Sequence, residues 1–162
     1  MTIREYKDDD KNEVAVLCDK FQDHLVVSDP EKLFRRTTEY GEWSLARKVK
    51  KSQNQKCGFY VVTDQNKVVG FIFGSVDPTP PNIASYSYVP IKSGLIEELY
   101  VDAEARGKGF GSALTSAVEN FFKQEECARI NLGVLAFNAE AKKFYEHLGY
   151  TERSIQLSKK LG

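Results

Sequence analysis

Two adjacent carboxylates, Glu97 and Glu98, stand in the middle of an otherwise apolar run, Leu95-Ile96-Glu97-Glu98-Leu99-Tyr100-Val101. A carboxylate of ordinary pKa, about 4.3, is a weak direct base, but partial burial raises it and a water chain can relay a proton to it. It also holds a cation. Beyond this run comes Arg106-Gly107-Lys108-Gly109-Phe110-Gly111-Ser112, in which three glycines alternate just ahead of a helical pattern. The first amides of a helix lack intrahelical acceptors and carry the positive end of its dipole, and glycines without Cβ atoms let an anion approach them. The chain has a phosphate seat at the end of an apolar strand. Further on, Tyr145 lies two helical turns past Asn138, roughly 10 Å along the axis.

The elements that must position these groups follow from periodicity. Phe110, Ala113, Leu114, Ala117, Val118, Phe121 and Phe122 keep the spacing of one buried helical face, so a helix starts at the glycines and packs on a core. In the run holding Glu97 and Glu98, alternate residues point to opposite faces, so only one acid faces a given side unless a bulge intervenes. Upstream, Thr2 to Tyr6 alternates as a strand, and Asp8, Asp9 and Asp10 suit the start of a helix whose stripe is Val14, Leu17, Cys18, Phe21 and Leu25. Ser28-Asp29-Pro30-Glu31 reads as a second helix start, and Gly41 interrupts the helical pattern that continues through Trp43, Leu45 and Val49, which leaves one helix or two shorter ones open. The basic run Arg47, Lys48, Lys50, Lys51 and Lys56 reads as a solvated face, with attraction of an anionic ligand as the alternative. Gly58 to Val62 and Val68 to Val76 form an antiparallel hairpin. Asp77 to Ser93, rich in proline, reads as a long loop whose Tyr86 and Tyr88 are candidates for a pocket wall. Arg129 to Leu135 is a strand, Asn138 caps a helix facing inward through Ala141, Phe144, Tyr145 and Leu148, Gly149 ends it, and Thr151 to Leu157 reads as a closing strand. The expected fold is α/β with α+β character: a mixed, mostly antiparallel sheet with helices on both faces.

Composition narrows the partners. At 162 residues and 41% hydrophobic the chain reads as one domain, residues 1–162, with a real core. Its 23 basic and 23 acidic residues balance, which gives no general reason to expect nucleic acid or membrane as a partner. No apolar leader or bilayer-length run is present in the sequence, so a cytoplasmic protein is the expectation. Cys18, Cys57 and Cys127 are widely spaced without a CxxC pair, and no metal site is expected. His24 and His147 read as structural. The glycine spacing lacks the GxxxxGK of a Walker A loop, and the dinucleotide fingerprint lacks both its third glycine and its acid.

One further pattern fits. Arg106-Gly107-Lys108-Gly109-Phe110-Gly111 resembles the (Arg/Gln)-x-x-Gly-x-(Gly/Ala) signature of the GNAT superfamily of acyl-CoA-dependent N-acyltransferases. The run Asn138-x2-Ala141-x2-Phe144-Tyr145-x3-Gly149-Tyr150 looks like that family's second block. The resemblance covers nearly the whole chain and is weakest over residues 19–56. It implies a six- to seven-stranded sheet whose fourth and fifth strands splay apart, the fourth carrying a bulge. It implies acetyl-CoA as cosubstrate, with main-chain groups of Leu99, Tyr100 and Val101 on the acetyl and pantetheine end and the amides from Arg106 through Lys108 and Phe110 to Ser112 on the pyrophosphate. By the same resemblance Tyr145 protonates the departing thiolate, Asn138 reaches the cofactor, and an acid at Glu97 takes part in base chemistry, with Glu98 contacting the substrate. N-terminal acetyltransferases of ribosomal proteins usually carry a key glutamate where this chain has Gly133. The paired acids make the expected acceptor a small primary amine, such as a polyamine, aminoglycoside or amino-acid derivative. A protein lysine or N-terminus, or a non-enzymatic acyl-CoA-binding module, are the alternatives, and a homodimer is possible.

Overall fold

The computed structural model describes residues 1–77, 89 and 91–161. The chain runs β1 (Thr2–Glu5), a 3-10 turn at Asp8–Asp10, α1 (Lys11–Ser28), α2 (Tyr40–Asn54), β2 (Cys57–Asp64), β3 (Lys67–Asp77), β4 (Ser93–Val101), a 3-10 turn at Ala103–Ala105, α3 (Phe110–Gln124), β5 (Arg129–Leu132) and α4 (Ala139–His147). The strands lie side by side in the order β1-β2-β3-β4-β5. All neighbours are antiparallel except β4 and β5. The expected mixed sheet is present, with five strands among the described residues. No helix among those residues is long and apolar enough to cross a membrane.

Alternation along β2 and β3 sorts the core into two layers. Phe59, Val61, Phe71 and Phe73 meet Val14, Leu17 and Cys18 of α1 and Leu45 of α2. Val62, Ile72 and Val76 face the other way, onto Phe110, Leu114, Val118 and Phe122 of α3. The β2–β3 turn is tighter than expected, because Gln65 and Asn66 both take positive φ, 49° and 63°, the geometry of a two-residue hairpin loop.

The pairing of β3 with β4 slips once, between Phe73 opposite Glu98 and Gly74 opposite Ile96, which leaves Glu97 as the extra residue of a bulge. Its effect on direction is visible in the core. Ile96 belongs to the α3 layer, whereas Tyr100, of the same parity, belongs to the α1–α2 layer. Just before the bulge, a Cβ on Gly94 would come within 2.5 Å of the Phe122 ring, whose side chain is 0% exposed. Gly94→Ala is therefore expected to cost about 1–3 kcal/mol by overpacking, read as a lower urea midpoint.

Three expectations need correction, and one falls outside the described residues. No helix starts at Asp29. Its carboxylate instead accepts hydrogen bonds from the amides of Glu31, Leu33 and Phe34, at 2.9, 2.6 and 3.1 Å, which holds an irregular segment until α2. Gly41 lies inside α2 rather than breaking it, where a Cβ would sit 2.3 Å from the Ala15 carbonyl oxygen of α1. The closing strand at Thr151 to Leu157 is not formed: the segment has no regular structure, and Ile155 and Leu157 are exposed. Tyr86 and Tyr88 lie outside the described residues.

Candidate active site

β4 and β5 pair in parallel only from Ser93 opposite Arg129 to Ile96 opposite Leu132. Beyond that point β4 continues to Val101 while β5 has ended, short of the expected Leu135. The sheet opens there. Asp102 donates its amide to Val69 of β3 at 2.8 Å. Because successive strand amides alternate in direction, those of Val101 and Leu99 point the other way, toward the side that β5 has left. Neither amide has a strand partner on that side among the described residues, which leaves both open to a ligand.

A cavity of about 340 Å³ lies at this opening, lined among others by Glu97, Glu98, Leu99, Gly133, Asn138 and Tyr145. Both candidate acids, the strand that bears the open amides and both residues of the second block thus meet at one place. Phe21, Gln22 and Leu25 of α1, Phe34 of the irregular segment and Tyr40 of α2 extend its wall. Sequence reasoning assigned none of these five to the site. All but Gln22 are ordinary core types, Gln22 reads as a surface polar residue, and the segment between α1 and α2 carries no motif.

The bulge brings both acids to the α2 side. Oε1 of Glu97 accepts from Lys51 Nζ and from Ser75 Oγ, each at 2.6 Å. Its Oε2 has no partner among the described residues. Glu98 is 8% exposed; Arg47 Nη2 lies 3.3 Å from Oε1 and Lys48 Nζ 2.8 Å from Oε2. That second contact is close but off the direction of a hydrogen bond, so it is ionic and leaves Oε2 without a directed donor among the described residues. Lys48 is 1% exposed, held also by Ser44 Oγ at 2.7 Å. The reading of this basic run as a solvated face thus fails at Lys48, which shares one helical face with Tyr40, Ser44 and Lys51.

Gly107 and Gly109 take φ of +77° and +79°, and nothing among the described residues lies within 4 Å of where their Cβ atoms would be. The amides of residues 107–112 have no acceptor among the described residues, which leaves a row of donors around the start of α3. Such a row fits a pyrophosphate. Gly111 serves packing, since a Cβ there would lie 3.3 Å from the Phe144 ring of α4. Side chains around the loop are engaged elsewhere: Arg106 Nε donates to the Val101 carbonyl at 3.2 Å, Lys108 pairs with Asp64 at 3.2 Å, and Phe110 is buried. Ser112 lies in the first turn of α3. Tyr100 packs its ring against Phe21 at 6.0 Å, so only its main chain is available. Gly109→Ala is expected to lose at least about tenfold in coenzyme A affinity, and about 1–2 kcal/mol of stability from the left-handed backbone alone. Calorimetry against coenzyme A checks the first and a urea titration the second.

Asn138 caps α4, its Oδ1 accepting from the Ala141 amide at 3.1 Å. Tyr145 is half-buried, and loss of water pushes its phenol well above the usual range, so it stays protonated at neutral pH. Burial also raises the thiols of Cys18, Cys57 and Cys127. None of them lines the cavity.

The chain thus has a mixed sheet that opens above a glycine loop at a helix start, with an acid and a tyrosine on the opening. The model of the Acetyltransferase (GNAT) family matches residues 17–150, and the chain belongs to that family. It is 36% identical over 98 residues to an uncharacterised N-acetyltransferase of Methanocaldococcus jannaschii, covering 60% of this chain and 54% of that protein. It is 29% identical over 126 residues to thialysine N-epsilon-acetyltransferase of Bos taurus, covering 73% of this chain and 74% of that one. The chain thus spans 54% of the length of the first of these curated relatives. Among solved structures, the tetramutant of the BH1408 protein from Bacillus halodurans superposes with a TM-score of 0.85 at 27% identity, over 99% of this chain and 100% of that one.

Proposed function

We propose that this chain transfers the acetyl group of acetyl-CoA to the primary amine of a small molecule, by direct attack within a ternary complex. Bound acetyl-CoA supplies a thioester whose carbonyl carbon accepts the amine and whose sulfur leaves. The amides of residues 107–112 hold the pyrophosphate and Val101 the pantetheine arm. The Leu99 amide faces the carbonyl oxygen as negative charge develops on it. An amine of pKa near about 10.4 arrives protonated, and Glu97, through Oε2 or a water on it, takes the proton. Tyr145 gives its phenol proton to the departing sulfur and regains one from the second proton that the nitrogen sheds as the amide forms.

The observation that carries this reading is the convergence of Glu97, Leu99, Asn138 and Tyr145 on one cavity at the opening of the sheet. Direct attack is favoured because all three thiols are raised and lie outside it. A small acceptor is favoured by Gly133 and by the relatives, whose names specify thialysine, mycothiol and glucosamine 6-phosphate. Thiol release from acetyl-CoA, measured against a panel of small amines and of peptides, is expected to rise with small amines. Release with peptides alone would overturn the small-acceptor reading, and a stable acetyl group left on a cysteine would overturn direct attack.

A further inference from the structure

Resting on that reading, we infer that the acceptor is an amine that also carries an anionic group, a carboxylate or a phosphate, and that Arg47 binds this group. Paired acids beside an amine site suggest a seat for polycations. The structure removes that seat. Glu97 is engaged by Lys51, and Glu98 by Lys48 and Arg47, so three cations face two carboxylates. Glu97 and Glu98 are also the only charged residues on the cavity wall among the described residues. Tyr40 and Tyr145 on the wall and Cys18 behind it are raised by burial and neutral at pH 7. Residues 78–90 contain no Asp, Glu, Lys, Arg or His, so that segment cannot alter the balance. With both carboxylates already paired to these cations, an acceptor with a second ammonium would find no unpaired acid here, whereas one with an anion would find Arg47.

Arg47 is the cation placed to receive it. Lys48 is sealed in the core, and Lys51 is spent on Glu97 at 2.6 Å. The Arg47 side chain is 53% exposed and its contact with Glu98 is the longer one, 3.3 Å through Nη2 alone. Its Nε and Nη1 have no acceptor among the described residues, which leaves a planar donor edge of the shape that carboxylates and phosphates take in a bidentate grip. The guanidinium is held over the Trp43 ring at 5.4 Å, and Trp43 packs its ring at 5.6 Å from that of Tyr40, which lines the cavity. Through Glu98 and through the Trp43–Tyr40 pair, Arg47 is tied to the cavity on two sides.

Matched amines test this. L-lysine against cadaverine changes only the carboxylate, and glucosamine 6-phosphate against glucosamine only the phosphate, so the two arms tell the anions apart. In at least one pair, the anionic member is expected to have a kcat/KM about tenfold or more above its partner, as one charged hydrogen-bonded contact gives. Arg47→Gln is expected to bring that ratio toward one, while Arg47→Lys keeps part of it. Trp43 is the single tryptophan, so its fluorescence reports occupancy of Arg47 without turnover. It is expected to change on titration with the anionic member of the pair and not with cadaverine or spermidine. Equal or better turnover of cadaverine, spermidine or glucosamine would overturn the inference while leaving the acetyltransferase reading intact. A fluorescence change with no thiol release for any amine would support the anion seat and overturn the reading beneath it. Absence of both would overturn both.

Discussion

Glu97→Gln is expected to lower kcat/KM by about two to four orders of magnitude, the usual worth of a general base, with coenzyme A affinity unchanged. The substitution keeps the shape of the side chain and a hydrogen bond for Ser75, which now lies 2.6 Å from Oε1. It removes the lone pair that takes the proton. The nucleotide loop, on the far side of Val101, is untouched. A second signature separates lost base chemistry from lost structure. Without an enzymic base, the reaction depends on the amine that is already neutral, whose fraction rises about tenfold per pH unit below a pKa near 10.4. The variant's rate should therefore climb steeply between about pH 7 and 9, and the parent's less so. A variant that keeps its rate within about threefold would end the assignment of Glu97 as base, since a base is worth far more than that.

The second large effect is on stability. Lys48→Met is expected to cost about 3 kcal/mol, because it leaves the carboxylate of Glu98 buried with a weaker partner. Lys48 is 1% exposed and Glu98 8%, so water cannot replace the lost ammonium. Arg47 stays on Oε1, at 3.3 Å, which keeps the cost near the lower end of the range for a broken buried pair. The double variant Lys48→Met, Glu98→Leu should recover most of the loss, since two apolar groups of similar volume often serve as well as a buried pair. Urea midpoints of the three proteins check both statements. A single variant as stable as the parent would show that Lys48 contributes nothing to the pair.

The parts legible in the sequence are those whose causes are local. The helix after the glycines declares itself by spacing, and its buried apolar residues Phe110, Leu114, Val118 and Phe122 all belong to the predicted stripe. The hairpin, the cap at Asn138 and the left-handed glycines are likewise decided within a few residues. Other features depend on partners far away in the chain. Lys48 looks like its basic neighbours until β4, distant in the chain, brings Glu98 to it. Asp29 has the look of a helix cap, but its carboxylate is taken by three amides just beyond it. Ile155 and Leu157 alternate as a strand does, yet alternation specifies a strand only when a neighbouring edge pairs with it. The cavity wall from α1 and α2 was illegible for a related reason: apolar residues at helical spacing look the same whether they face a core or a ligand.

The extra residue at Glu97 acts on β4 as a dislocation acts on a crystal row. Counted from Ser93, the strand keeps one phase up to Ile96 and the opposite phase from Glu98 onward, so residues of the same parity, such as Ile96 and Tyr100, lie in different layers on its two sides. The acid pair shares one side only because the phase slip falls between them. Losing Glu97 would restore an unbroken strand and leave Glu98 and Tyr100 where they are, at the cost of one acid of the pair. Chemistry at this site is written in the length of the strand as much as in its letters.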